Sequence, residues 1–387
     1  MILSDKTKRR WNATPFVVRV STDPLRPEPL RTSEALLVRS ECRAYPPGFR
    51  AYFGTATASS ELPHTVDTPV IPLPESLSYL GDGDIVVVRP TTGDLRVLYR
   101  HMARHNSFLV TQACNSFCLM CAQPPAKHAA DDCADLLWEA IPLMDINTPE
   151  VTFTGGEPTL LGRKLVELIR RMKNFLPHTS LHILSNGRLI RFLTFAQDIA
   201  EICHPDLVLG IPLYSDVSHE HDFIVQANGA FDEAVKGILN LARCGLRVEI
   251  RLVITRLNYK LLQRFAGFVS RNLPFSCNVA FMGLEPVGFA KSNLATLWID
   301  PADYGEYLAA AVRILESHRI PVSIYNHQLC TIRPELWRFA RQSISDWKNI
   351  LIDACEGCAA RHQCCGFFAS SVDTHSRAIK SVAQPCS

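Results

Sequence analysis

The chain has 387 residues, 47% hydrophobic and 20% charged, a globular composition that excludes general disorder. Forty Lys and Arg against 38 Asp and Glu leave a net charge of +2, which argues against a chain-wide nucleic-acid footprint. No apolar run approaches the roughly 18 residues a membrane-spanning helix needs, and the start MILSDKTKRRW has the wrong order and length for a secretory signal.

In chain order, residues 1–100 are rich in proline and short β-like runs, among them Phe16–Val20 and Asp84–Arg89. The turn signal Gly81-Asp-Gly-Asp84, and Thr92-Gly93 before a run from Leu95 to Tyr99, predict a β-hairpin in a β-rich accessory domain. Residues 59–76 hold Pro63, Pro69, Pro72 and Pro74 and read as an irregular connection.

From about 105 the rhythm changes. Strands are expected at Ser107–Thr111, Glu150–Thr154, Leu181–Ser185, Leu207–Leu213, Arg247–Ile254 and Phe275–Met282. Helices are expected near 134–144, 160–175, 190–202, 229–243 and 259–272, with Leu161, Leu165, Leu168, Ile169 and Met172 on one stripe. Such alternation implies right-handed βαβ units on a parallel sheet that curls into a full or partial barrel, with chemistry at the C-terminal strand ends. Residues 301–350 read as mostly helical, clearest from Tyr304 to Ser317. The fold class is therefore α/β, with boundaries at 1–100, 101–300 and 301–387.

Fourteen cysteines are too few for a disulfide scaffold of this length. With no export signal, the chain is expected in the cytoplasm with reduced thiols, and clustered reduced thiols read first as metal ligands. Cys114, Cys118 and Cys121 follow the first strand of the alternating region. Three thiolates in so short a loop suit separate irons of a cubane cluster, leaving one iron open. Zinc usually asks for four ligands, and a Cys118/Cys121 redox pair does not explain Cys114. Cys133 is a distant fourth candidate, in or beside a helix.

This loop resembles that of the radical S-adenosylmethionine (SAM) enzymes, in which three thiolates hold a [4Fe–4S] cluster, SAM chelates the open iron, and reductive cleavage releases a 5′-deoxyadenosyl radical. The resemblance implies a partial (β/α)6 barrel here, and an electron donor. Gly155, Gly156, Glu157, Pro158 and Thr159, after the second strand, resemble the family's GGEP motif at the methionyl amino group of SAM. Their glycines permit close approach to a ligand, and Glu157 can accept from an ammonium. Ser185-Asn186-Gly187 resembles the family's turn beside the cofactor, or is a plain turn. Glu249 and Arg251 alternate outward on the fifth strand; Arg251 resembles a residue that reaches the SAM carboxylate or ribose, or makes a surface salt bridge. The fourth strand departs from the family pattern. It reads Ile211-Pro-Leu-Tyr-Ser-Asp216, and Pro212 has no hydroxyl for a ribose, which shifts that contact to Ser215 or removes it. His221-Asp222 and Gly229–Asp232 match the usual run into a helix.

The second cluster of cysteines, Cys355, Cys358, Cys364 and Cys365, resembles the auxiliary-cluster (SPASM or twitch) segments of peptide-modifying members. With Cys330 as fourth ligand, Cys355, Cys358 and Cys364 would hold a second [4Fe–4S] cluster, with Cys365 an alternative to Cys364 and zinc an alternative metal. Cys42, Cys203, Cys244 and Cys277 are expected as core thiols and Cys386 as a spare, and the thirteen histidines show no ligand spacing. Residues 118–125, 334–347 and 364–370 resemble the His-Xaa-Ser system radical SAM maturases, C type, over roughly residues 80–375. That resemblance implies a precursor peptide with His-Xaa-Ser repeats as substrate and a partner radical SAM maturase, with no nucleic acid and no membrane. The competing readings are a radical SAM enzyme for a small metabolite or cofactor, and a non-catalytic zinc-stabilised peptide-binding scaffold.

Overall fold

The computed structural model describes residues 3–39, 46–54, 69–126, 132–342 and 350–383. Its contacts divide the chain into two compact units, one of Met1–Phe108, Asp132–Val151 and Arg170–Thr179, the other of the remaining residues.

The first unit is built on a seven-stranded mixed sheet. In chain order its elements are β1 (Ser4–Lys6), β2 (Phe16–Ser21), α1 (Glu28–Arg31), β3 (Glu34–Val38), β4 (Ala51–Gly54), β5 (Val70–Pro72), β6 (Ile85–Arg89) and β7 (Asp94–Tyr99). The spatial order is β1-β7-β6-β2-β3-β4-β5. The expected hairpin is β6–β7, antiparallel with a register shift at Ile85/Val86, and Gly93 turns it at φ +75°. There Gly93 lies so close to the Thr7 carbonyl that a Cβ would stand 2.8 Å from its oxygen. Alternation along β3 and β4 divides their apolar residues between two clusters. Val18, Val20, Leu37, Phe53 and Val86 belong to one, and Leu36, Val38, Tyr52 and Val70 to the other. Of the irregular connection expected at 59–76, residues 59–68 lie outside the described residues, while 70–72 form β5 beside β4. α2 (Cys133–Ala140) opens on the buried Cys133 and continues as a short 3-10 turn at Ile141–Leu143, where Pro142 cannot donate to an α-helical ladder.

The second sheet also has seven strands, in strictly sequential order from β8 to β14. They are β8 (His105–Leu109), β9 (Glu150–Thr154), β10 (Ser180–Leu184), β11 (Leu207–Pro212), β12 (Arg247–Val253), β13 (Asn278–Met282) and β14 (Val322–Tyr325). The pairs from β10 to β14 are all parallel. The helices are α3 (Arg163–Phe175), α4 (Leu193–Ala200), α5 (Ser218–Val225), α6 (Ala230–Arg243), α7 (Leu262–Asn272), α8 (Phe289–Ser292), α9 (Leu294–Leu297) and α10 (Pro301–Ser317). This is the expected curled α/β partial barrel, extended by a seventh strand. Residues 301–350 read as mostly helical, but after α10 the alternating Val322-Ser-Ile-Tyr325 pairs with β13. The sixth strand starts three residues later than expected, because Ser276 folds back to donate to the Leu273 carbonyl.

The two faces of this sheet differ. Ile183, Ile211, Ile250, Val279 and Phe281 are fully buried on one face, and Phe265 of α7 packs edge-on against Phe281 there. His182, Glu249, Arg251, Asn278 and Ser323 occupy the alternate positions and so face the hollow of the curl.

Candidate functional site

The three-cysteine loop leaves β8 through Val110, whose N–H donates to the Thr154 carbonyl of β9. Residues Thr111–Ala113 then lie directly against Gly155–Gly156. The N–H of Gly156 donates to the Thr111 carbonyl at 2.8 Å, and that of Glu157 to the Ala113 carbonyl at 2.7 Å. A Cβ on Gly156 would stand 2.0 Å from the Ala113 oxygen, and one on Gly155 2.6 Å from that of Thr111. The close approach that these glycines allow is thus to the chain's own backbone, at the root of the thiol loop.

The rest of the loop is held from several sides. Phe117 and Leu119 donate their N–H groups to the Val225 and Ile224 carbonyls at the end of α5. Phe289 N–H donates to the Cys121 carbonyl, and the Asn293 side-chain amide to that of Leu119. Met120 is buried with Tyr214, Ile224 and Leu297, and Cys118 packs on the same cluster. Asn115 accepts from the Asn186 amide at 2.6 Å, while Arg188 donates to the Asn115 carbonyl and to Ser116 Oγ. Arg188 is in turn paired with Glu233 at 2.6 Å.

All three thiols are half-buried. Burial pushes each of them up, Cys118 to about 12, and the neighbouring thiols add to the effect on Cys118. Neutral thiols are the stable form there until a metal cation compensates the thiolates. Among the described residues, no three His, Cys, Asp or Glu side chains converge on a point that would hold a single ion. A cubane needs no such point, since each thiolate binds its own iron, so the loop fits a cluster better than a mononuclear metal.

Glu157 is 1% exposed and already tied into the turn. Its Oε1 accepts from Thr159 N–H, Thr159 Oγ1 and Ser185 Oγ, and its Oε2 accepts from Asn186 N–H at 2.6 Å. The carboxyl pKa is raised by burial, against the pull of these donors. Oε2, with a single donor, keeps acceptor capacity for a further one. Pro158 opens a 3-10 turn at Pro158–Leu161 that brings Thr159 back to Glu157.

Arg251 does not point outward. Together with Glu249 it faces the hollow of the sheet, and its guanidinium donates to Glu249 at 2.5 Å. Glu249 also accepts from the Asn278 amide at 2.8 Å, and Asn278 accepts from Ser323 Oγ. His182 reaches within 3.7 Å of Glu249 across β11. Gly210 makes this crossing fit, because a Cβ there would stand 3.0 Å from His182 Nε2 and 2.8 Å from a Leu184 methyl carbon. The fourth strand thus presents Gly210 and Pro212 to the hollow, and Ser215 does not replace the missing hydroxyl. Ser215 is buried, donates to Glu220 and accepts from Val217 N–H. The His221-Asp222 pair is structural. Asp222 accepts from Gly229 and Phe231 N–H at the start of α6, and His221 stacks on Tyr214.

The second group of cysteines shares a pocket. Cys330, Cys355, Cys358 and Cys364 line one pocket, walled also by Leu329, Phe367 and Val382. Cys365 is turned away, its thiol donating to the His327 carbonyl at 3.2 Å. Cys364 is held low, to about 6, chiefly by the adjacent Cys365 side chain. Sequence reasoning passed over His327, which is buried beside this turn and hydrogen-bonded to Tyr304 at 2.7 Å. No histidine spacing signals it, because Tyr304 comes from the distant α10. Among the expected core thiols, Cys203 is exposed at a left-handed turn (φ +51°), where the chain reverses after α4, and Cys244 and Cys277 are half-buried. Cys42 and Cys386 lie outside the described residues.

Residues 108–269 match the sequence model of the radical SAM superfamily. The chain contains a radical SAM superfamily domain. This radical SAM domain runs from β8 into α7 and takes in the three-cysteine loop, the Gly155–Thr159 turn and Arg251. Among solved structures, Streptococcus suis SuiB bound to S-adenosylmethionine is 16% identical with a TM-score of 0.49, covering 64% of this chain and 55% of SuiB. SuiB bound to its precursor peptide SuiA is 17% identical, TM-score 0.47, covering 61% and 52%. A radical SAM methyltransferase from Sphaerobacter thermophilus is 14% identical, TM-score 0.45, covering 62% and 72%. The chain therefore spans about half the length of SuiB. No curated protein matches the sequence. Among the described residues, no helix is long and apolar enough to cross a membrane.

Proposed function

We propose that this chain is a radical SAM maturase that modifies a ribosomally made precursor peptide of the His-Xaa-Ser type. In this reading residues 1–100 are an accessory part, 101–300 the catalytic barrel and 301–387 the auxiliary-cluster segment. Cys114, Cys118 and Cys121 hold a [4Fe–4S] cluster. When bound, that cluster and SAM supply a 5′-deoxyadenosyl radical that abstracts hydrogen from the substrate. The protein's part is to seat and orient. Gly155–Thr159, Ser185 and Asn186 form the SAM-facing turn, with Glu157 Oε2 left to accept from an ammonium. Arg251, preset by its bond to Glu249, offers its remaining donors to a carboxylate or ribose. Cys330, Cys355, Cys358 and Cys364 hold a second [4Fe–4S] cluster.

The observation that carries this reading is the seating of the three-thiol loop on the Gly155-Gly156-Glu157 turn inside a radical SAM domain. The pocket of four thiols supports the second cluster, and with it the peptide-modifying class. Anaerobic reconstitution followed by SAM and dithionite should yield 5′-deoxyadenosine, and Cys114→Ala should yield none. Equal product from both would remove the catalytic assignment, and zinc without iron or sulfide would make the chain a scaffold instead. Co-expression with a His-Xaa-Ser precursor, with and without a partner radical SAM maturase, should change the precursor's mass. An unchanged precursor beside active SAM cleavage would redirect the search to a small metabolite.

A further inference from the structure

The last described stretch of the chain has no regular secondary structure, yet it is fastened along its length. Ser376 is 2% exposed and donates through Oγ to Asp300 Oδ1 at 2.6 Å. Arg377 N–H donates to Asp300 Oδ2 at 2.9 Å, and its guanidinium pairs with Asp300 and Asp303. Asp300 is also the N-cap of α10, accepting from Ala302 N–H, so one carboxylate fixes both the helix and the tail. Further on, the Val382 carbonyl accepts from Ala359 N–H at 2.9 Å, between Cys358 and Ala360. The Val382 N–H in turn donates to Cys358 Sγ at 3.4 Å. Lys380 and Val382 both line the pocket of the four thiols, alongside Cys330.

This segment thus aims a backbone donor at the Cys358 sulfur and walls the pocket with Lys380 and Val382. We infer that residues 376–382 are a strap forming one wall of the second metal site, shielding it and donating the Val382 backbone N–H to its Cys358 sulfur. The inference rests on the second-cluster reading above. The physical effect is specific. Hydrogen bonds to ligand sulfur stabilise the more negative, reduced form of an iron–sulfur site, and a cation such as Lys380 acts in the same direction. Excluding water slows loss of the metal. Asp300 and Ser376 hold the strap without touching any thiol.

The test uses the full chain carrying C114A, C118A and C121A, so that iron bound after anaerobic reconstitution reports only the second site. In that background Val382→Pro removes the N–H donor, Val382→Ala keeps it, and Lys380→Ala removes the cation. Val382→Pro and Lys380→Ala should release iron to a chelator roughly tenfold faster than the parent, as loss of outer-shell partners does elsewhere. Their reduction potentials should move to more negative values, while Val382→Ala should behave as the parent. Circular dichroism and melting of the metal-free variants separate these effects from misfolding, and Lys380→Ala carries the test if Val382→Pro does not fold. Release rates and potentials equal to the parent's in every folded variant would overturn the strap while leaving the second cluster standing. A parent that takes up no iron and sulfide would overturn the second-cluster reading, and the strap with it.

Discussion

A methyl group on Gly156 would stand 2.0 Å from the Ala113 carbonyl oxygen and 2.5 Å from its carbon. Neither backbone atom can give way without moving the root of the thiol loop. Gly156→Ala should therefore cost about 1–3 kcal/mol in urea unfolding of the metal-free protein. Gly305→Ala makes the contrast. Nothing lies within 4 Å of a Cβ there, in the first turns of α10, so it should stabilise by roughly 0.5–1 kcal/mol. Equal effects at both sites would refute the crowding argument. The vicinal thiols give a second contrast. Cys364 lines the pocket and Cys365 turns to the His327 carbonyl, so Cys364→Ala should lower the iron and sulfide bound per chain and Cys365→Ala should not. Iron lost from Cys365→Ala alone would reverse the assignment. Sequence left this choice open because adjacent residues share one spacing, and only the backbone's turn points one sulfur in and the other out.

At the scale of elements, apolar runs of period two and stripes of period 3.6 located the strands and helices of the partial barrel to within a few residues. Glu150–Thr154 stands as expected, and α3 buries Leu165, Leu168, Ile169 and Met172. The elements that escaped are the short ones. β14 has only four residues, and a run that short carries little periodicity until β13 pairs with it. α5 is short and encloses the His221-Asp222 pair, and its role appears only in space, where its last carbonyls receive Phe117 and Leu119. The connection from α5 to α6 depends on Asp222, which accepts from Gly229 and Phe231 N–H and so does the work of a cap. Asp222→Ala should cost about 1 kcal/mol in denaturant unfolding, and Asp222→Asn less, because an amide oxygen can still accept. An unchanged midpoint for the alanine variant would show that the two N–H groups find other partners.

For the molecule as a whole, two buried rings set an acid limit. His221 and His327 are both held down to about 4, chiefly by burial, against an ordinary value of 6.5. A depressed histidine is neutral in the folded state and charged in the unfolded state at pH 5. Its contribution to stability is complete above pH 6.5 and is withdrawn as the pH falls toward 4. Each ring should remove roughly 2–3 kcal/mol between pH 7 and 4.5. The urea midpoint of the metal-free protein should fall across that window, and a flat midpoint would mean that the rings protonate without opening the fold. Chain order alone determined that a βα-alternating core carries a three-thiol loop, a Gly-Gly-Glu-Pro turn and a later group of cysteines, because each is a local pattern of spacing and residue type. Tertiary structure decided what those patterns touch. Gly155 and Gly156 close on the thiol loop itself, Arg251 turns inward to Glu249 across from Gly210, and Cys330 joins thiols that follow it by 25 to 34 positions. Such contacts depend on strand register and on side chains brought together from distant parts of the chain, which no local period records.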